Sequence, residues 1–272
     1  MELHKKRRIV YFTVILVICT ACIGITISMQ INKYYENEFK KQQSTDLYDI
    51  DQELFRSKFI NSFNSKIIGE YEGIKKIEDN KDVIYSNITI EKVENKYDLN
   101  TNIPFINIDN EDVKDYNEKI KNLFENKILQ IKSGNINTIY TVDYMANISN
   151  NILSIAIKAT LKEGEKSQRL ILTTFNYDLN KNEEIYLEKL INMRNLNQKD
   201  VQSKLKQEIE KQSMEALELQ KLGYNVFIRN ITEGMFNIKN ITNYYMDTNG
   251  YIYIIYPYGN NNLTTEMDIV VF

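Results

Sequence analysis

Past Cys22 this 272-residue chain contains neither histidine nor cysteine: its one histidine is His4, and its two cysteines are Cys19 and Cys22. That removes Ser-His-Asp and Cys-His nucleophilic catalysis from the bulk of the chain. It also removes the usual zinc sites, which draw chiefly on those two residue types. Carboxylate chemistry survives, in which one acid protonates a leaving group and a second carboxylate acts opposite it. Asp143, Asp178 and Glu184 fall near expected strand ends, but no spacing pairs them. Two acidic runs, Asp109-Glu111-Asp112 and Asp46-Asp49-Asp51-Glu53, lack the spacing and sixth-position glycine of an EF-hand loop. A helix cap and a solvated helix start account for them. No enzymatic activity, no cofactor and no resident metal is expected.

The remaining candidates belong to recognition. Glu163, Glu165 and Lys166 crowd one turn, while Tyr251, Tyr253, Tyr256 and Tyr258 crowd the end of the chain. Tyrosine is enriched both in strands and at recognition surfaces. Most of the terminal rings are expected in cross-strand packing, with an exposed minority able to stack on a glycan or meet a protein. The net charge is −3, and the first eight residues carry four basic groups against Glu2, so the remainder is more acidic still. A basic nucleic-acid footprint is absent.

The elements that would hold these residues begin with a membrane anchor. Lys5, Lys6, Arg7 and Arg8 precede an uncharged run from Ile9 to Met29. At a rise of about 1.5 Å per residue the run covers about 31 Å, the thickness of a bilayer's hydrocarbon core. The basic block keeps residues 1–8 in the cytoplasm and sends the rest outside. A cleaved signal peptide is the competing reading, but its apolar region is shorter and ends in small residues of the A-x-A kind. Residues 9–29 are read as a retained transmembrane helix. Residues 30–80 read as a stalk and helical lead-in, with Leu54, Phe55, Lys58 and Phe59 at helical spacing.

From residue 81 to 272 the pattern becomes that of a folded domain. Period-two alternation starts at Val83, and Val113, Tyr116, Ile120, Leu123, Phe124, Lys127, Ile128 and Ile131 form one helical stripe. Strands are expected over 139–148, 152–161 and 169–179. A second helix follows over 197–222, with Asn197 as cap and Gly223 as stop. Two more strands flank Asp247-Thr248-Asn249-Gly250, and Asn-Gly is a strong hairpin signal. Residues 267–272 close the chain. The fold class is α+β: an antiparallel sheet with two packed helices, preceded by one transmembrane helix.

Three stretches in order carry a family resemblance: IPFINIDNEDVKDYNEKI (Ile103–Ile120), TTFNYDLNKNEEIYLEKLI (Thr173–Ile191) and the closing Tyr244–Phe272. Over residues 82–272 the chain resembles the exported domain of RsiV-type anti-sigma factors of Gram-positive bacteria, which also occurs beside PdaC-type peptidoglycan deacetylases. The resemblance implies an extracytoplasmic module whose partner is lysozyme or a cell-wall glycan. It also implies a Gly-Gly-Ala-His phrase where this chain has Glu163-Gly164-Glu165-Lys166. The eight residues before the apolar run are too few to fold around a sigma factor, and the deacetylase part is missing. A non-catalytic, membrane-anchored binding module of the cell envelope is expected. A carboxylate-pair enzyme on peptidoglycan and a sensor acting through a separate membrane partner are the alternatives.

Overall fold

Strands between Lys66 and Val271 build two sheets. The computed structural model describes residues 50–69, 71, 73–258 and 266–272. The expected cytoplasmic stub, transmembrane helix and first part of the stalk lie outside them. Ile50–Phe272 form a compact unit. Among the described residues no helix is long and apolar enough to cross a membrane.

The larger sheet has seven strands: β1 (Lys66–Ile68), β2 (Ile84–Val93), β3 (Tyr97–Ile106), β4 (Thr138–Ser149), β5 (Ile152–Glu163), β6 (Arg169–Asp178) and β7 (Glu183–Glu184). They run in the order β2-β3-β4-β5-β6-β7, with β1 added beside β4. Asn150 and Asn151 make the β4–β5 turn, both with positive φ, a region that asparagine tolerates. The smaller sheet is β8 (Tyr244–Met246), β9 (Ile252–Tyr258) and β10 (Glu266–Val271), antiparallel in the order β10-β9-β8.

Five α-helical segments are described: α1 (Gln52–Asn61), α2 (Glu111–Ile120), α3 (Asn126–Ser133), α4 (Leu187–Met193) and α5 (Gln198–Lys221). A π-helical turn, Lys121–Glu125, joins α2 to α3. The Asn110 side chain caps α2 by accepting from the Asp112 N–H, and Asn197 does the same for α5 through Lys199. Val113, Tyr116, Ile120, Phe124, Ile128 and Ile131 are buried against Leu99, Ile103, Tyr140, Val142 and Leu153, whereas Leu123 of the expected stripe is exposed and Lys127 reaches Glu163. Each such side chain contributes about 1.5–3 kcal/mol when fully buried. A second core, containing Met145, Ala156, Leu172, Tyr245, Tyr253 and Ile255, joins the larger sheet to the smaller one.

The sheet is mixed rather than antiparallel. β3 pairs parallel with β4 in the register Leu99↔Tyr140, and β1 pairs parallel with β4 in the register Ile67↔Ala146. The α2–α3 segment carries the chain from the end of β3 back to its start, and such a crossover delivers a parallel neighbour. The expected boundary at residue 81 also moves. α1 and β1 belong to the compact unit, because α1 covers the outer edge of β10. The Gln52 side chain donates to the Val271 carbonyl and accepts from its N–H, both at 2.9 Å. Arg56 Nε donates to the Ile269 carbonyl at 2.8 Å. Phe59 is 2 % exposed and lies 5.1 Å from the Tyr253 ring, nearly parallel to it. What read as a helical lead-in therefore closes a sheet edge that would otherwise present unpaired backbone groups.

Candidate functional site

A cleft of about 500 Å³ opens where the chain passes from α1 into β1. Its floor is two strands in register. Lys66 lies opposite Met145 and Ile68 opposite Asn147, so these four side chains share a face. The approach of β1 to β4 depends on Gly69, whose φ is +92°. A Cβ at that position would stand 2.3 Å from the Ile148 carbonyl oxygen. One wall is the α1 face and the turn after it, with Ser57, Lys58, Asn61 and Asn64. The other is the β8–β9 hairpin, with Tyr245, Asp247, Thr248 and Tyr253.

The hairpin wall is fixed by its own turn. Asp247 Oδ1 accepts from the N–H groups of Asn249 and Tyr251, each at 2.9 Å, and Oδ2 accepts from the Tyr253 hydroxyl at 3.2 Å. Burial raises the Asp247 carboxyl above the usual carboxylate range, and those hydrogen bonds oppose the rise. The floor is fixed by Asn147, which is 1 % exposed. Its Nδ2 donates to the Tyr245 hydroxyl at 2.6 Å and to the Met246 carbonyl at 2.8 Å. Its Oδ1 is buried with no donor among the described residues. An unmet buried polar atom costs about 1–3 kcal/mol, a cost the floor carries beneath the accessible surface of the cleft.

Lys58 and Lys66 have no ion-pair partner among the described residues, and the Lys58 ammonium stands 5.3 Å from the Phe55 ring centre. Phe59, Tyr245 and Tyr253 line the cleft but are buried, so they give it shape and not stacking faces. Two lysines against one half-buried aspartate make the cleft locally basic in a chain of net charge −3. Such an arrangement can hold an anionic group and hydrogen-bond around it.

The residues singled out from sequence fall elsewhere. Glu163 Oε1 accepts from Lys127 Nζ at 2.9 Å, and its Oε2 accepts from the Arg169 guanidinium at 2.5 Å. The hydrogen bond from Lys127 is the main cause that holds its carboxyl below the usual range. Glu165 and Lys166 are exposed. Around this turn Lys127, Lys162, Lys166 and Arg169 outnumber the two glutamates, so it presents positive charge rather than an acidic face. Tyr253, Tyr256 and Tyr258 are core residues at 4 %, 4 % and 5 % exposure. Tyr251 is half-buried with its ring edge-on to Phe55 at 4.7 Å. The two groups do not form one surface. The Glu163 turn ends β5, while the β8–β9 turn meets the end of β4, which pairs with the start of β5, through Ser149 Oγ and the Thr248 carbonyl at 3.2 Å. The twelve residues of β5 span about 40 Å at about 3.3 Å each.

The three candidate carboxylates are also separate in role. Asp143 lies across from Lys158 and 3.5 Å from Ser65 Oγ. Asp178 is buried and accepts from the N–H groups of Asn180 and Lys181, which makes it a turn residue. Glu184 has its carboxyl raised, first by burial and then by Asp112. The cleft residues Lys58, Asn61, Asn64, Lys66 and Asn147 were not singled out from sequence. A three-residue strand is too short to show alternation, and Asp247 was legible only as a turn residue.

No family model matches the chain, and no curated protein matches it at a significant level. Its structural neighbours are DUF3298 family proteins. One, from Pseudomonas aeruginosa PAO1, has 10 % identity and a TM-score of 0.28, covering 39 % of this chain and 56 % of that one. Another, from Bacteroides fragilis NCTC 9343, has 13 % identity and a TM-score of 0.36, covering 64 % of this chain and 82 % of that one. The chain thus spans little more than half the length of the Pseudomonas protein. The DUF3298 family is related to the RsiV/PdaC-associated domain.

Proposed function

We propose that this chain is a membrane-tethered, extracytoplasmic binding module of the bacterial cell envelope, and that it recognises a cell-wall or protein ligand without catalysis. The cleft between α1–β1 and the β8–β9 hairpin carries the reading. Its walls are fixed by hydrogen bonds and core packing, while Lys58 and Lys66 have no ion-pair partner among the described residues. Preformed concave sites with a few convergent polar groups are the usual form of a ligand site. The tether is supported by the basic block and the uncharged run Ile9–Met29. The non-catalytic part is supported by the lack of His and Cys past Cys22. It is further supported by Asp247, whose two oxygens are both engaged by its own hairpin.

A lysozyme-like partner fits less well at the Glu163 turn. Lysozyme is strongly basic, and this turn is basic too, so encounter there lacks electrostatic steering. The test immobilises the full-length chain in detergent and offers lysozyme, peptidoglycan fragments and membrane extract. The expected result is retention of a ligand that is lost when Lys58 and Lys66 are both changed to Glu. Retention of nothing, or hydrolysis of the peptidoglycan, contradicts the proposal.

A further inference from the structure

We infer that the ligand of this cleft is an acidic amino-sugar glycan, a saccharide that carries both acetamido and carboxylate groups. The inference rests on the proposed binding function and names the substrate class of the same cleft. Three observations lead to it.

The first is the balance of the lining. The accessible groups are hydroxyls, side-chain amides and ammonium groups, from Ser57, Asn61, Asn64, Lys58 and Lys66. The aromatic rings are closed off beneath them, and Ile68 is the one large apolar side chain of the lining that is exposed. A saccharide presents hydroxyl and acetamido groups on all sides and needs many small polar partners.

The second observation is charge. Lys58 and Lys66 face the same space from opposite elements, one on the helix wall and one on the floor, against the single carboxylate of Asp247. An ammonium pair without an ion-pair partner favours a ligand anion, because charge-assisted hydrogen bonds are about twice as strong as neutral ones. Planar bidentate recognition, the speciality of arginine, is not built here, so one carboxylate held by point charges fits better than a forked clamp.

The third observation is the pair of exposed amides on and just after the helix wall, Asn61 and Asn64. A side-chain amide both donates and accepts, which complements an acetamido group, whereas a carboxylate or a phosphate only accepts. A cleft of about 500 Å³ falls within the usual range of small-ligand sites and accommodates about two sugar rings.

The experiment measures binding of the full-length chain to the disaccharide N-acetylglucosaminyl-N-acetylmuramic acid, with its neutral counterpart N,N′-diacetylchitobiose as control. The acidic disaccharide is expected to bind about tenfold more tightly or better, the value of one added charge-assisted contact. Lys66→Glu, on an exposed side chain, should erase that difference, and Asn61→Leu should weaken both ligands. An unchanged melting temperature shows that these variants fold. Equal affinity for the two sugars, or no effect of Lys66→Glu, overturns the inference. Binding of neither sugar, with a protein still retained in the capture test, overturns the glycan assignment and leaves the binding function standing. Failure of both overturns both.

Discussion

Glu163 shows what a single residue's number in the chain does and does not reveal. Its place in an acidic turn was plain from sequence, and it suggested a displayed charge. The structure gives that charge to Lys127, from a helix 36 positions earlier, and to Arg169. No local pattern encodes a contact of that separation. The consequence is measurable. With its carboxyl held below the usual range, Glu163 contributes stability at neutral pH that is lost as pH falls from the ordinary glutamate value through its own lower one. Glu163→Gln should lower stability by about 1 kcal/mol at pH 7, discounted for the exposure of Arg169. The difference from the parent should close in acid. Melting curves from pH 7 to pH 3 check this, and a constant difference across that range contradicts it. Tyr253 and Tyr256 teach the same lesson from the other side. Alternation placed them on strands, and both pack inward as expected of most terminal rings; the sequence did not show that both faces of β9 are covered.

At the level of elements, the long, strongly periodic segments were legible and the short ones were not. The stripe from Val113 to Ile131 and the cap at Asn110 mark α2 and α3, while the π-turn between them leaves no sequence sign. β4, β5 and β6 each span ten or more residues and follow the expected ranges within about two residues. β1 has three residues, too few to show alternation, and its two isoleucines are exposed rather than turned to a core. Its pairing hangs on Gly69, where a side chain meets both a positive φ and the Ile148 carbonyl. Gly69→Ala should cost more than the roughly 1–2 kcal/mol of the left-handed conformation alone, since the contact adds to it. Amide exchange should then speed up at Lys66–Ile68 relative to β5. Unchanged protection there would show that β1 does not depend on this close approach.

The molecule as a whole places its cleft where α1 and β1 rejoin the end of the chain. Gln52 and Val271 are 219 residues apart, yet they exchange two hydrogen bonds. This closure hid the true start of the folded unit, because a polar helix that caps a sheet edge looks like a solvated one. Gln52→Ala should lower stability by about 1–3 kcal/mol by orphaning the buried Val271 groups. It should also weaken ligand binding, since α1 is a cleft wall. A melting shift without any loss of binding would separate the two roles. The central claim is that this cleft faces the outside of the cell. Lys66→Cys in the full-length chain, with Cys19 and Cys22 changed to Ser, puts one thiol on the cleft floor. A membrane-impermeant maleimide added to intact protoplasts should label it as fully as it does after lysis. Labelling that appears only after lysis would contradict the account.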